Sequence, residues 1–112
     1  MKDDTVYLKH IRDAIARIES YTTGGRKTFY RDTMVQDAVI RNLEVIGEAV
    51  KNLSLDLRRR YPASPWRSIT ALRNVLIHEY FGVDLEIGWR VVSKRLPTLK
   101  RSVLTLLERG KR

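Results

Sequence analysis

A chain of 112 residues and 13.1 kDa, 43% apolar and 31% charged, has the make-up of one soluble globular domain over 1–112 and is too short for two. It holds no Cys and two His, which excludes disulfide scaffolds, thiolate zinc sites and thiol catalysis and leaves little for a multi-His metal centre. The net charge of +9 is unevenly spread: residues 1–56 carry nine Lys/Arg against nine Asp/Glu, residues 57–112 thirteen against four, so the second half presents a basic surface suited to a polyanion such as nucleic acid.

The spacing of Tyr7, Ile11, Ala14, Ile18 and Tyr21 predicts an amphipathic helix over about residues 3–21, with His10 on its polar side. Thr22, Thr23, Gly24 and Gly25 end it, because a glycine just past the last periodic residue supplies a left-handed cap. A loop carrying Phe29 and Tyr30 is expected next. Thr33-Met34-Val35-Gln36 then reads as a capping box opening a helix of about 22 to 26 residues, with the stripe Val35, Val39, Leu43, Ile46, Val50 and Leu53.

Tyr61-Pro62-Ala63-Ser64-Pro65 punctuates the chain. Ser64 as N-cap and Pro65 at the first helical position predict a third helix through Trp66, Ile69, Leu72 and Leu76. Gly82 and Asp84 break it and cap a fourth helix carrying Leu85, Trp89, Val92 and Leu96. Pro97 forces a kink or a restart, after which Leu99, Val103, Leu106 and Leu107 form a last stripe. No period-two strand pattern and no repeat is visible, so the expected class is all-α, an antiparallel bundle of four to five helices. No run approaches the roughly 18 apolar residues of a spanning helix, and the start MKDDTVYLKH has no apolar h-region, so the expected location is cytoplasmic, without membrane contact.

Polar chemistry is densest at RNVLIHEY, residues 73–80. On an ideal helix Arg73 and Tyr80 lie about 20° apart and His78 about 140° from Arg73, so they share no face if the helix continues. Either the helix unwinds near His78, or the side chains meet partners across an interface with a second copy. An Arg can clamp a phosphate and offset charge that grows during phosphoryl transfer, and a His exchanges protons at neutral pH. Together they suffice for RNA cleavage without metal or cofactor, in which a 2′-hydroxyl attacks its own phosphate. One His78 cannot be base and acid at once; a two-fold homodimer supplies two.

These residues resemble the R-x4-H-x-Y motif of the HEPN family, in particular its HepT-type members, with Arg73, His78 and Tyr80 at the three fixed positions. The stretch Val35-Gln36-Asp37-Ala38 through Arg41-Asn42-Leu43-Glu44-Val45-Ile46-Gly47-Glu48-Ala49 also fits, as do Tyr61-Pro62, Pro65-Trp66-Arg67 and Tyr80-Phe81-Gly82-Val83-Asp84. The resemblance implies a helical homodimer whose paired motifs form a metal-independent ribonuclease site, with Arg73 and His78 as the catalytic pair. It further implies a toxin of a type VII toxin–antitoxin pair, neutralised by an MntA-type nucleotidyltransferase antitoxin that transfers AMP to Tyr80. An adenylyl group beside a cationic cleft would block and repel RNA.

Glu44 and Glu48 lie four apart, which is thin for a metal site; Arg41 and Lys51 at three-residue spacings predict salt bridges and a supporting role, one glutamate orienting Arg73. Gly47 suits close helix packing, a dimer seam included. Asn74 is a further supporting candidate beside the motif. Arg58, Arg59, Arg60 and Arg67, with Arg90 and Lys94, are candidates for an RNA track. Trp66 and Trp89 fall on apolar stripes and read as core or interface anchors rather than stacking platforms. Two rival readings are a non-catalytic HEPN subunit serving a nucleotidyltransferase and a basic nucleic-acid-binding protein without catalysis; neither needs the Arg73/His78 pair.

Overall fold

The computed structural model describes residues 4–62, 64–70 and 85–110, and among them the regular structure is helical throughout. Helix α1 spans Asp4–Tyr21 and α3 spans Thr33–Asn52. They run antiparallel, since the carboxylate of Asp4 holds Ser54, just past α3, while Arg17 reaches Asn42. Between them Leu8, Ile11, Ile15 and Ile18 meet Val39, Leu43, Ile46 and Val50 in one buried cluster. Each such aliphatic side chain contributes about 1.5–3 kcal/mol when fully buried. The stripe expected for α1 is shifted: Tyr7 is half-buried and Tyr21 exposed, because aliphatic residues fill the core while phenols keep their hydroxyls at its rim.

Two corrections concern the connection between these helices. Where a loop was expected, α2 covers Gly25–Arg31 and buries Phe29 against Trp89, ring centroids 5.5 Å apart. A helix this short has a single apolar anchor and therefore no period to read. As expected, a glycine supplies the left-handed residue of the preceding turn: Gly25, at φ +80°. The cap of α3 is Asp32, one residue before the expected Thr33, accepting from Met34 and Val35 N–H at 2.9 and 3.4 Å. Asp outranks Thr as an N-cap. Gln36 consequently leaves the capping box and donates through Nε2 to the carbonyls of Phe29 and Tyr30, at the end of α2. At 20 residues, α3 is slightly shorter than expected, stopping where Leu53 turns extended.

A short helix that the sequence reading did not anticipate, α4, spans Leu55–Arg60; the Ser54 hydroxyl caps it by accepting from Leu57 N–H at 3.1 Å. Residues 66–70 are helical, but Ser64 is not their side-chain cap. The first bond of the turn runs from Ile69 N–H to the Pro65 carbonyl at 3.0 Å, so Pro65 takes the cap position and the Ser64 hydroxyl has no partner among the described residues. Trp66 is buried, its indole N–H donating to the Tyr61 carbonyl at 3.0 Å.

The last arm comprises α5, Leu85–Arg90, a π-helical turn Val91–Arg95, and α6, Leu96–Gly110. The irregularity expected at Pro97 is this π turn, in which Leu96 N–H reaches back five residues to Val91. Pro97 has no N–H for the Ser93 carbonyl, and a widened turn makes room for its ring. Leu96, Leu99, Val103, Leu106 and Leu107 lay α6 on α1, with Lys100 and Glu19 paired at 2.9 Å along the edge. Gly88 lets α5 approach α2: a Cβ there would stand 3.3 Å from the Phe29 ring. Gly47 is already buried within one chain. Among the described residues no helix is long and apolar enough to cross a membrane.

Candidate functional site

The motif positions Arg73, Asn74, His78 and Tyr80, together with Glu79, lie outside the described residues. The stretch 66–70 precedes them and α5 follows. The site residues that the structure does place fall into three groups.

Glu44 and Glu48 project from consecutive turns of α3 into an open groove of about 410 Å³ against α1. Tyr7, His10, Arg41 and Asn52 also line it. The predicted Arg41–Glu44 pair forms at 3.8 Å, and Arg41 is largely exposed, so it adds well under about 1 kcal/mol. His10 is exposed as expected, but it stands edge-on to the Tyr7 ring, 6.2 Å between centroids, on the same groove as the glutamates, a grouping its position along α1 alone does not reveal. Among the described residues no three His, Asp or Glu side chains come together as a metal site.

The cations of the expected RNA track divide around residues 64–70. Arg58 and Arg59 from α4 and Arg67 from the following turn line one groove of about 610 Å³ with Leu55, Ser64 and Thr70. Arg60 is not part of it: the helical period turns it towards Asp56, with which it pairs at 2.9 Å. Arg90 and Lys94 line two clefts of about 380 and 350 Å³. In the first they are joined by Arg26, Tyr30 and Glu86, Arg90 approaching Glu86 at 3.5 Å; in the second by Arg95, Ser68 and Thr98. Arg95 was missed by the sequence reading; its place in the Val91–Arg95 run beside Lys94 was the available signal. Both tryptophans behave as anchors, Trp66 buried and Trp89 half-buried on Phe29.

A polar tie in the core was also missed. Asn42, 7% exposed, accepts from Arg17 Nε at 2.8 Å and donates to the Ala38 carbonyl at 2.8 Å, so its amide is satisfied on both ends and joins α1 to α3.

The described residues thus form helices with cationic grooves around residues 64–70. The chain belongs to the ribonuclease HepT-like family, whose profile matches residues 11–106. It is 44% identical over 108 residues to a Methanocaldococcus jannaschii protein named "Gamma-glutamylcyclotransferase and putative RNase", an alignment that takes in 96% of this chain and 49% of that protein. The chain thus spans about half the length of that relative. It is 38% identical over 112 residues to a "Putative RNase" of Caldanaerobacter subterraneus, 99% of this chain and 100% of the relative. It is 45% identical over 95 residues to the "Probable ribonuclease HepT" of Thermococcus cleftensis, 84% of this chain and 86% of the relative. No solved structure matches it.

Proposed function

We propose that this chain is a ribonuclease that cuts RNA without a metal ion, with Arg73 and His78 as its catalytic pair. The observation that carries the reading is RNVLIHEY, residues 73–80, inside the segment that the ribonuclease HepT-like family matches. The relatives named as RNases and the arginine-lined grooves on either side of residues 64–70 support it. In this scheme 1–112 is one domain and two copies pair so that their motifs face each other. One His78 takes the proton of the ribose 2′-hydroxyl, and that oxygen forms a bond to the adjacent phosphorus. The other His78 gives a proton to the departing 5′-oxygen, leaving a 2′,3′-cyclic phosphate and a free 5′-hydroxyl. Arg73 stabilises the charge on the non-bridging oxygens in transit. Glu44 or Glu48 holds Arg73 in place, with Asn74 as a neighbouring support.

The same proposal makes the chain the toxin of a toxin–antitoxin pair, with an MntA-type nucleotidyltransferase as antitoxin. The Tyr80 phenolic oxygen attacks the α-phosphorus of ATP, pyrophosphate leaves, and AMP occupies the cleft. The test is RNA cleavage by the purified protein in EDTA. Wild type is expected to degrade RNA, and Arg73→Ala and His78→Ala to lose cleavage while remaining helical. Full activity in either variant would defeat the assignment; intact RNA with every protein would favour the non-catalytic subunit reading.

A further inference from the structure

We infer that the groove between α4 and residues 64–70 is a built phosphate site that grips a phosphodiester of single-stranded RNA; it rests on the RNA-cleaving reading above. Three guanidinium groups, Arg58, Arg59 and Arg67, line this groove, and none of its described lining residues is acidic. None of the three pairs with a carboxylate among the described residues, whereas the adjacent Arg60 is neutralised by Asp56.

The second observation is independent of charge. Ser64 also lines the groove, is 7% exposed, and its hydroxyl is buried without a hydrogen-bond partner among the described residues. The Nε of Arg58 is in the same condition. Buried polar groups in folded proteins are nearly always paired, and an orphan is costly. Both orphans can donate, and the residues that carry them line one groove beside two further guanidinium groups, which suits a partner rich in acceptors and negatively charged. A phosphate meets both requirements, its oxygens accepting from forked Arg N–H groups and from a hydroxyl turned about its Cα–Cβ bond. Thr70 is not a competing donor, because its hydroxyl donates to the Trp66 carbonyl at 2.9 Å. Leu55, 59% exposed on the same groove, offers an apolar surface for the sugar or base next to that phosphate.

The test uses the full chain and a fluorescent 2′-O-methyl RNA oligomer, which lacks the attacking hydroxyl and cannot be cut, with binding read by anisotropy across a salt series. Arg67→Gln is expected to lower the salt slope by about 0.7, the release of one counterion from a single strand. Ser64→Ala is expected to weaken binding roughly tenfold at unchanged slope, because it removes a hydrogen bond and no charge. Arg31→Gln, an exposed cation on α2, is the control for net charge. Circular dichroism verifies the fold; since the Ser64 hydroxyl has no partner among the described residues, Ser64→Ala is expected to melt no lower than wild type without RNA, and to gain less from RNA. Ser64→Ala binding as tightly as wild type, Arg67→Gln behaving like Arg31→Gln, or no binding by wild type would each overturn the inference, as would an oligoglutamate competing as well as RNA. The two readings separate cleanly. Wild type that binds through Ser64 and Arg67 yet leaves ordinary RNA intact would remove the nuclease and keep the groove. Cleavage by wild type, with both variants binding normally, would do the reverse.

Discussion

Asp4→Ala tests how the first residue of α1 positions the arginines of α4. One carboxylate oxygen of Asp4 accepts from Ser54 N–H at 2.8 Å and the other from the Ser54 hydroxyl at 2.7 Å. That hydroxyl in turn accepts from Leu57 N–H and so caps the helix bearing Arg58 and Arg59. Hydrogen bonds to a charged acceptor contribute about 1.5–3 kcal/mol each, and partial exposure screens this pair below that range, to about 2 kcal/mol in total. For a chain of 112 residues 1 kcal/mol corresponds to about 4 °C, so a loss of about 8 °C in Tm is expected, followed by far-ultraviolet circular dichroism. Asp4→Asn keeps one acceptor and should lose about half as much. Because Asp4 and Ser54 share the interaction, Asp4→Ala combined with Ser54→Ala should cost clearly less than the sum of the two. A Tm within about 2 °C of wild type, or additive single effects, would refute the tie.

Asn42→Ala removes the core amide between Arg17 and the Ala38 carbonyl and is expected to cost about 1–2 kcal/mol in urea unfolding; an unchanged midpoint would mean that the bond adds nothing net. Tyr80→Phe should keep growth inhibition when expressed but escape neutralisation by a coexpressed nucleotidyltransferase. Mass spectrometry of the coexpressed wild type is expected to find AMP on Tyr80, and AMP found only elsewhere would remove Tyr80 from the scheme.

The long helices were legible because α1 and α3 repeat aliphatic residues over several turns, and that period depends on nothing distant. At seven residues, α2 offers only Phe29, whose burial depends on Gly88 and Trp89, some sixty residues away in the chain, so no local pattern could show it. The cap signals were present but displaced by one residue. Asp32 competes with Thr33, and Ser64 yields its role to Pro65, choices fixed by where the preceding segments must end. For α4 the signal was available: Ser54 followed by Asp56 in the first turn is an N-terminus signature. The cationic character of the second half was readable from composition. Its division into grooves, with Arg60 drawn off by Asp56 and Ser64 joining Arg58, depends on tertiary placement. The motif residues are legible from the sequence alone and lie outside the described residues.

In the proposed nuclease a working cleft draws one imidazole from each of two subunits, and subunit mixing puts that requirement to the test. Wild-type and His78→Ala chains are combined in equal amounts, exchange is verified by native mass spectrometry, and RNA cleavage is measured per total protein. If both His78 side chains are needed, only dimers of two wild-type subunits cut, and activity should fall to about a quarter of the unmixed wild type. Activity of about a half, as for subunits that each work alone, would contradict the account.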